Sequence, residues 1–325
     1  MNKYKLSEET LEINGHILHR IIALRSFGNV NKGELGGWIE KESNLSHEGD
    51  CWIYNDAVVF DNAKIRGNAK IINNAKITDN ALIYDNARVT DRVRVYDNAK
   101  VCGNAKIFGN VGVFDNAIIS DNAIVSDYAL IYDNAKIYGE ANVFNNAKVT
   151  GNARVCDNAV IYGNATVCNS TAVFGNATVY NNALICDNAT VFAKAIICGN
   201  AQVYGNASVY GNTRIYDNAR ICENAAVYDN AIVSNRVRVC GNALIRGDAV
   251  IKDMSDYIIF KNWWSSGRFF TWTRSNDMWA VGCFYGTGKE LIKKAYADGE
   301  EKGHKYERIV KYIEFVKQEL NNEEV

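Results

Sequence analysis

Residues 129–140 read Ala129-Leu130-Ile131-Tyr132-Asp133-Asn134-Ala135-Lys136-Ile137-Tyr138-Gly139-Glu140, two passes through one six-residue unit. The unit, [Ile/Val]-x-[Asp/Gly/Asn]-Asn-Ala-x, runs without a break from Cys51 to Asp253. Ile or Val stands at every sixth residue from Ile53 to Ile251, 34 times in succession, so no insertion disturbs the register. Four positions after each aliphatic comes a small residue. It is Ala in 28 of 33 units, and the exceptions (Val93, Val111, Thr171, Thr213, Val237) are no larger than Val.

The order Ala, x, Ile, x alternates inward and outward with period two, which describes a short strand. Asp or Gly followed by Asn is turn chemistry, because these residues tolerate left-handed backbone and Asn can bond its own chain. A short strand and a tight corner every six residues give a coil of three sides and 18 residues. Stacked coils turn each side into a parallel sheet around a narrow core of Ile, Val and Ala. The units make about 11 coils, and at strand spacing a rod roughly 50 Å long. A helix would need a period of 3.6, and six never drifts here. The pattern resembles the hexapeptide repeat of left-handed parallel β-helices, and that resemblance supplies the expected hand.

Residues 1–50 are a different text. Thr10-Leu11-Glu12-Ile13 and His16-Ile17-Leu18-His19 flank Asn14-Gly15, a hairpin signal. A solenoid leaves open strand edges at its ends, and this hairpin is the expected N-terminal cap. Lys3-Tyr4-Lys5-Leu6-Ser7-Glu8, Gly36-Gly37-Trp38 and Gly49-Asp50-Cys51-Trp52-Ile53-Tyr54 resemble the opening of a bacterial β-helix family of acyltransferase-like proteins. That resemblance covers about the first 60 residues. It implies an acyl-CoA-dependent transferase acting as a trimer, with a His as general base and acyl-CoA in a groove between neighbouring prisms. The histidines are His16, His19, His47 and His304, and none lies within the repeats. The repeats also carry no loop. Here the enzyme reading is a fold-level analogy, and a non-catalytic scaffold or binding protein is the first expectation. No cofactor is expected on that reading.

Composition sets further bounds. A net charge of −1 gives no bulk field that would favour nucleic acid or a membrane surface. No signal peptide and no membrane-length apolar run is visible, so a cytoplasmic location is expected. The cysteine count, nine, is odd, and most stand at the outward position after a core aliphatic. Cys168/Cys186 and Cys222/Cys240 are 18 apart and should be ladder neighbours; in-register parallel side chains suit a disulfide poorly, so free thiols are expected.

The outward positions offer two candidate surfaces. Tyr or Phe follows the core aliphatic six, five and six times on the three sides. No side is favoured, which points to stacking between coils rather than to one binding face. Asp61, Asp79, Asp97, Asp115 and Asp133 should line one edge. Turn N–H groups and nearby lysines would neutralise them; a hard cation such as Ca²⁺ is the less favoured alternative.

After Asp253 the text changes again, to a module spanning 254–325 with four of the six tryptophans. Short strands are expected at 257–260, 268–274 and 278–285. Gly286-Thr287-Gly288-Lys289 fails as a phosphate loop, because Glu290 stands where Ser or Thr is required. Thr287 and Glu290 fit a helix capping box instead. A first helix follows, then a Gly299–Gly303 break and a second amphipathic helix. Two readings stay open for this small α+β module. It caps the last coil with its aromatics. Or Trp264, Arg268, Phe269, Trp272 and Arg274 stack on a base, nucleotide or peptide. A protein or small-ligand partner is expected, and a trimer if the chain is an enzyme.

Overall fold

A computed structural model describes residues 2–264 and 267–322. By contacts the chain divides into two units, Met1–Asp187 and Asn188–Val325, and hexapeptide coils occur in both. The described coils form a β-solenoid of about 12 turns, about eight in the first unit and four in the second.

In the first unit, strands Tyr4–Ile13 and His16–Ala23 form the expected antiparallel hairpin about Asn14-Gly15. The strand Leu35–Ile39 pairs antiparallel with the hairpin and parallel with the rung at Val58–Val59. Leu45 bridges to Ile65 in parallel. One coil is therefore wound before Cys51, which accounts for the turn beyond the expected 11. Gly36 and Gly37 make this possible, since a Cβ on either would lie 2.5 Å from Ile21 or Ile53 side-chain carbons.

Beyond that point each rung is two residues long, and partners are 18 apart. Lys64 pairs with Leu82, then Lys100, Ile118, Lys136 and Arg154 in turn. The inward Ile, Val and Ala are fully buried. Each buried aliphatic contributes about 1.5–3 kcal/mol. Corners turn in left-handed backbone at Asp, Asn and Gly, for example Asp97 at φ 54° and Asn73 at φ 64°. Outward rings stack between coils as expected: Tyr96, Phe114 and Tyr132 lie nearly parallel with centroids 4.9 Å apart.

In the second unit the coils have the same 18-residue register, Thr190 to Ser208 to Ala226 to Leu244. A four-stranded antiparallel sheet follows: Tyr257–Lys261, Phe269–Thr273, Met278–Val281 and Phe284–Gly286. The expected strand 278–285 is two strands, because Gly282 turns the chain at φ 56°. Helix α1 spans Gly288–Asp298 and α2 spans Glu300–Asn322. The break between them is Gly299 alone, with Gly303 inside α2. A Cβ on Gly303 would meet the Tyr296 ring at 2.2 Å, so Gly is needed for the helices to touch there. The capping box forms as expected, with Glu290 N–H donating to Thr287 Oγ1 at 3.3 Å and Thr287 N–H to Glu290 Oε2 at 2.8 Å. No described helix is long and apolar enough to cross a membrane.

The stacking polarity decides what each end needs. Within each unit the rungs donate N–H to the following coil, as Lys64 N–H does to Ala81 O at 2.9 Å. Orphan acceptors therefore collect at the start of the stack and orphan donors at its end. At the start, Lys3 Nζ donates to Cys51 O at 2.8 Å and Asn44 Nδ2 to Ala63 O at 2.9 Å. Both side chains are fully buried. At the end, Leu244 N–H donates to Thr271 Oγ1 at 3.0 Å, Val250 N–H to Ser275 Oγ at 2.7 Å and Lys252 N–H to Asp256 Oδ2 at 2.6 Å.

Candidate binding cleft in the C-terminal module

The sheet of the C-terminal module has two faces of opposite character, because side chains alternate along each strand. Thr271, Ser275 and Tyr285 meet the last coils of their unit; Tyr285 OH donates to Arg246 O at 3.2 Å. Phe270, Trp272 and Trp279 point the other way and form a core with Leu291, Ala295, Tyr306, Val310 and Ile313 of the helices. The expectation that aromatics plug the coil is thus corrected. Polar groups, the Tyr257 and Tyr285 hydroxyls among them, cap the coil, since its needs there are hydrogen bonds, and Phe270, Trp272 and Trp279 serve the helices.

This alternation sorts the five expected recognition residues. Trp272 is 0% exposed and its Nε1 donates to Asp277 Oδ1 at 2.9 Å, so it is a core residue and offers no face to a ligand. Trp264 is half-buried, set against Phe270 and Tyr306 with centroids 6.2 and 6.3 Å away. Phe269 is also half-buried at the strand's start. Arg274 is half-buried, and its backbone N–H donates to Asp256 O at 2.7 Å. Arg268 is exposed. The structure does not bring the five into one stacking surface.

Arg268 instead joins residues that the sequence did not single out as a site. It lines a small cleft of about 60 Å³ with Phe284, Lys294, Lys302 and Tyr306. Lys294 Nζ lies 5.6 Å from the Phe284 ring centre, and Lys302 Nζ lies 5.5 Å from that of Tyr306. Lys302 also pairs with Asp298. That contact, with Lys294 and Arg268 adding their charge, holds the Asp298 carboxyl below the usual carboxylate range. Three cations thus converge on one carboxylate over an apolar floor of Val281 and Leu291. Exposed Cys283 lies on the rim. Such a cleft has room for a small anionic group, and any apolar or aromatic body attached to it would lie outside, against the rim. The signal available in the sequence was the pair Lys294 and Lys302, eight apart across a glycine break, which faces one way only once Gly303 lets the helices fold together.

The aspartate edge forms as spaced. Asp97 N–H donates to Asp79 Oδ2 at 3.4 Å, Asp115 N–H to Asp97 Oδ2 at 3.2 Å and Asp133 N–H to Asp115 Oδ2 at 3.1 Å. Each carboxylate so bonded accepts a turn N–H from the next coil. Cys222 and Cys240 are joined as a disulfide, against the expectation of free thiols. Rung spacing itself brings their Cα atoms to 4.7 Å, within disulfide reach. Cys168 and Cys186 remain thiols, and burial, with Asp187 and Cys168 adding, pushes the Cys186 thiol up to about 12.

Comparison with known proteins adds two findings. A family model described as YdcK Beta solenoid repeat matches residues 153–169 and 201–217. The N-terminal part of the chain is similar to the Escherichia coli (strain K12) protein named Uncharacterized acetyltransferase YdcK, at 41% identity over 63 residues. The matched stretch covers 17% of this chain and 19% of that protein, about a fifth of its length.

Proposed function

We propose that this protein is a non-catalytic binding scaffold, with the cleft of the C-terminal module as its recognition site. The observation that carries the reading is the convergence of Arg268, Lys294 and Lys302 over Phe284 and Tyr306. The ligand class that fits is an anionic group on an apolar or aromatic body, on a protein or a small molecule. The three cations stand at the start of an inner strand and on two helices that a shared core holds in place, so the site is preorganised. The test compares the full chain with its Arg268→Ala/Lys294→Ala variant as bait in a lysate. A partner held by the parent and lost by the variant, at unchanged melting temperature, supports the reading; equal capture by both overturns it.

A second reading, acyl transfer, is favoured by the name of the relative that the N-terminal residues resemble. It places the reaction in a trimer groove and takes a base from outside the repeats, since residues 51–253 contain no His. Turnover of acetyl-CoA by the purified chain would establish it.

A further inference from the structure

The N-terminal unit gathers a second set of chemically versatile side chains from three places in the sequence. His16 opens the second hairpin strand, Glu40 follows the strand Leu35–Ile39, and Asp61 is the first residue of the aspartate edge. His16 Nδ1 lies 2.9 Å from Glu40 Oε1. The other oxygen of Glu40 accepts the Asp61 N–H at 2.8 Å. An ionised carboxylate only accepts, so Nδ1 carries a proton, and in the neutral ring Nε2 presents its lone pair. That lone pair faces Asp61 Oδ1 at 3.6 Å.

That separation is too long for a hydrogen bond. It suits two ligands of one ion, because donors ~2.1 Å from a tetrahedral metal stand ~3.4 Å apart. Glu40 holds the imidazole from behind, the arrangement that orients and strengthens metal-bound histidines. The three side chains are 31%, 27% and 29% exposed, which leaves room for water to complete the coordination.

We propose that His16 and Asp61, oriented by Glu40, form a binding site for a divalent transition cation, with Zn²⁺ as its probe. An imidazole with carboxylate oxygens selects such ions over Mg²⁺ and Ca²⁺, which prefer all-oxygen sites. The ion would tie the hairpin tip to the first coils. One neighbour opposes it: Lys76 Nζ lies 4.9 Å from the centre of the Phe60 ring, and that ring lies 4.8 Å from His16. The site is therefore weaker than a buried structural zinc, and removing that charge strengthens it.

The experiment is isothermal titration of ZnCl₂ into the full chain, stripped with EDTA, desalted and kept reduced, beside four variants. Asp61→Asn keeps the fold, because Asn55 and Asn73 occupy corners of the same kind at φ 57° and 64°; its melting curve in EDTA should match the parent's. The parent is expected to take up one Zn²⁺ more than Asp61→Asn or His16→Gln. Glu40→Gln should bind about 10–100-fold more weakly, and Lys76→Gln a few-fold more tightly. The proposal is overturned if the parent binds no Zn²⁺, or if Asp61→Asn and His16→Gln bind as the parent does, which would assign all uptake to the cysteines.

Discussion

Asp115 Oδ2 accepts the backbone N–H of Asp133 at 3.1 Å, one coil further on. Each aspartate of this edge thus has two tasks, turning the chain through left-handed backbone and holding the next corner. Asn can do both; Ala turns the corner only at a steric cost, as Ala193 does at φ 60°, and cannot hold the next one. Asp97→Asn should change the unfolding free energy by less than about 0.5 kcal/mol. Asp97→Ala, at φ 54°, should cost about 1–3 kcal/mol from strain and a lost acceptor. Because turn N–H groups already meet these carboxylates, adding CaCl₂ should leave the melting temperature unchanged. A calcium-dependent rise lost in Asp97→Asn would show instead that the edge is a cation site.

The same bonds predict the response to acid. Asp133 receives the Thr150 hydroxyl and the Gly151 N–H, the latter at 3.0 Å, and these hold its carboxyl below the ordinary range. A depressed folded-state value means the stabilisation is fully present above the unfolded value of about 3.9 and is lost as pH falls through the folded one. Stability measured in urea should therefore be flat from pH 7 to about 5 on this account and fall below pH 4. The fall should be shallower in Asp133→Asn, and an unchanged slope would show that other groups control it.

Two buried hydroxyls mark where the repeat departs from its own rule. Thr171 and Thr213 occupy the small inward position, 0% exposed, and their Oγ1 atoms have no partner among the described residues. Val fits this position elsewhere, at Val93, Val111 and Val237. Thr171→Val keeps the shape and removes an unmet polar group, so it should raise the unfolding free energy by about 1 kcal/mol. An equal or lower urea midpoint would mean that the hydroxyl finds a partner.

The capping bonds on the last coil should be unequally sensitive. Thr271 is 1% exposed and its bond to the Leu244 N–H is part-buried, so Thr271→Val removes that donor's partner and should cost about 1–3 kcal/mol. The bond from Val250 N–H to Ser275 is solvent-exposed, so Ser275→Ala should cost far less. Hydrogen exchange at Leu244 reads this directly, and should quicken in Thr271→Val alone.

What the sequence disclosed follows from what repeats. Ile131 and Ala135 recur at fixed intervals, so local rules applied once apply throughout, and the sheets, corners and stacked rings could be deduced. The coil before Cys51 was missed because Leu35–Ile39 lacks the hexapeptide signature and joins the stack only through its neighbours. The C-terminal module does not repeat, so which face of its sheet each aromatic occupies depends on tertiary partners. Trp272 and Arg268 looked alike in the sequence and are opposites in the structure, one enclosed by helices and the other in a cleft. Lys294 and Lys302 were not singled out in the sequence, and only the close approach of α1 and α2 at Gly303 brings them to one cleft with Arg268. Sidedness in a strand is a period-two property, and five residues without a known partner do not fix it.

Native mass spectrometry of the full chain, purified gently from a cell lysate, tests the central claim most directly, because it reports subunit number and retained ligand together. A binding scaffold is predicted to carry no coenzyme A or acyl-CoA mass in any oligomeric state. A trimer retaining coenzyme A or an acyl-CoA would contradict that claim and make acyl transfer, with a base supplied from outside the repeats, the function to pursue.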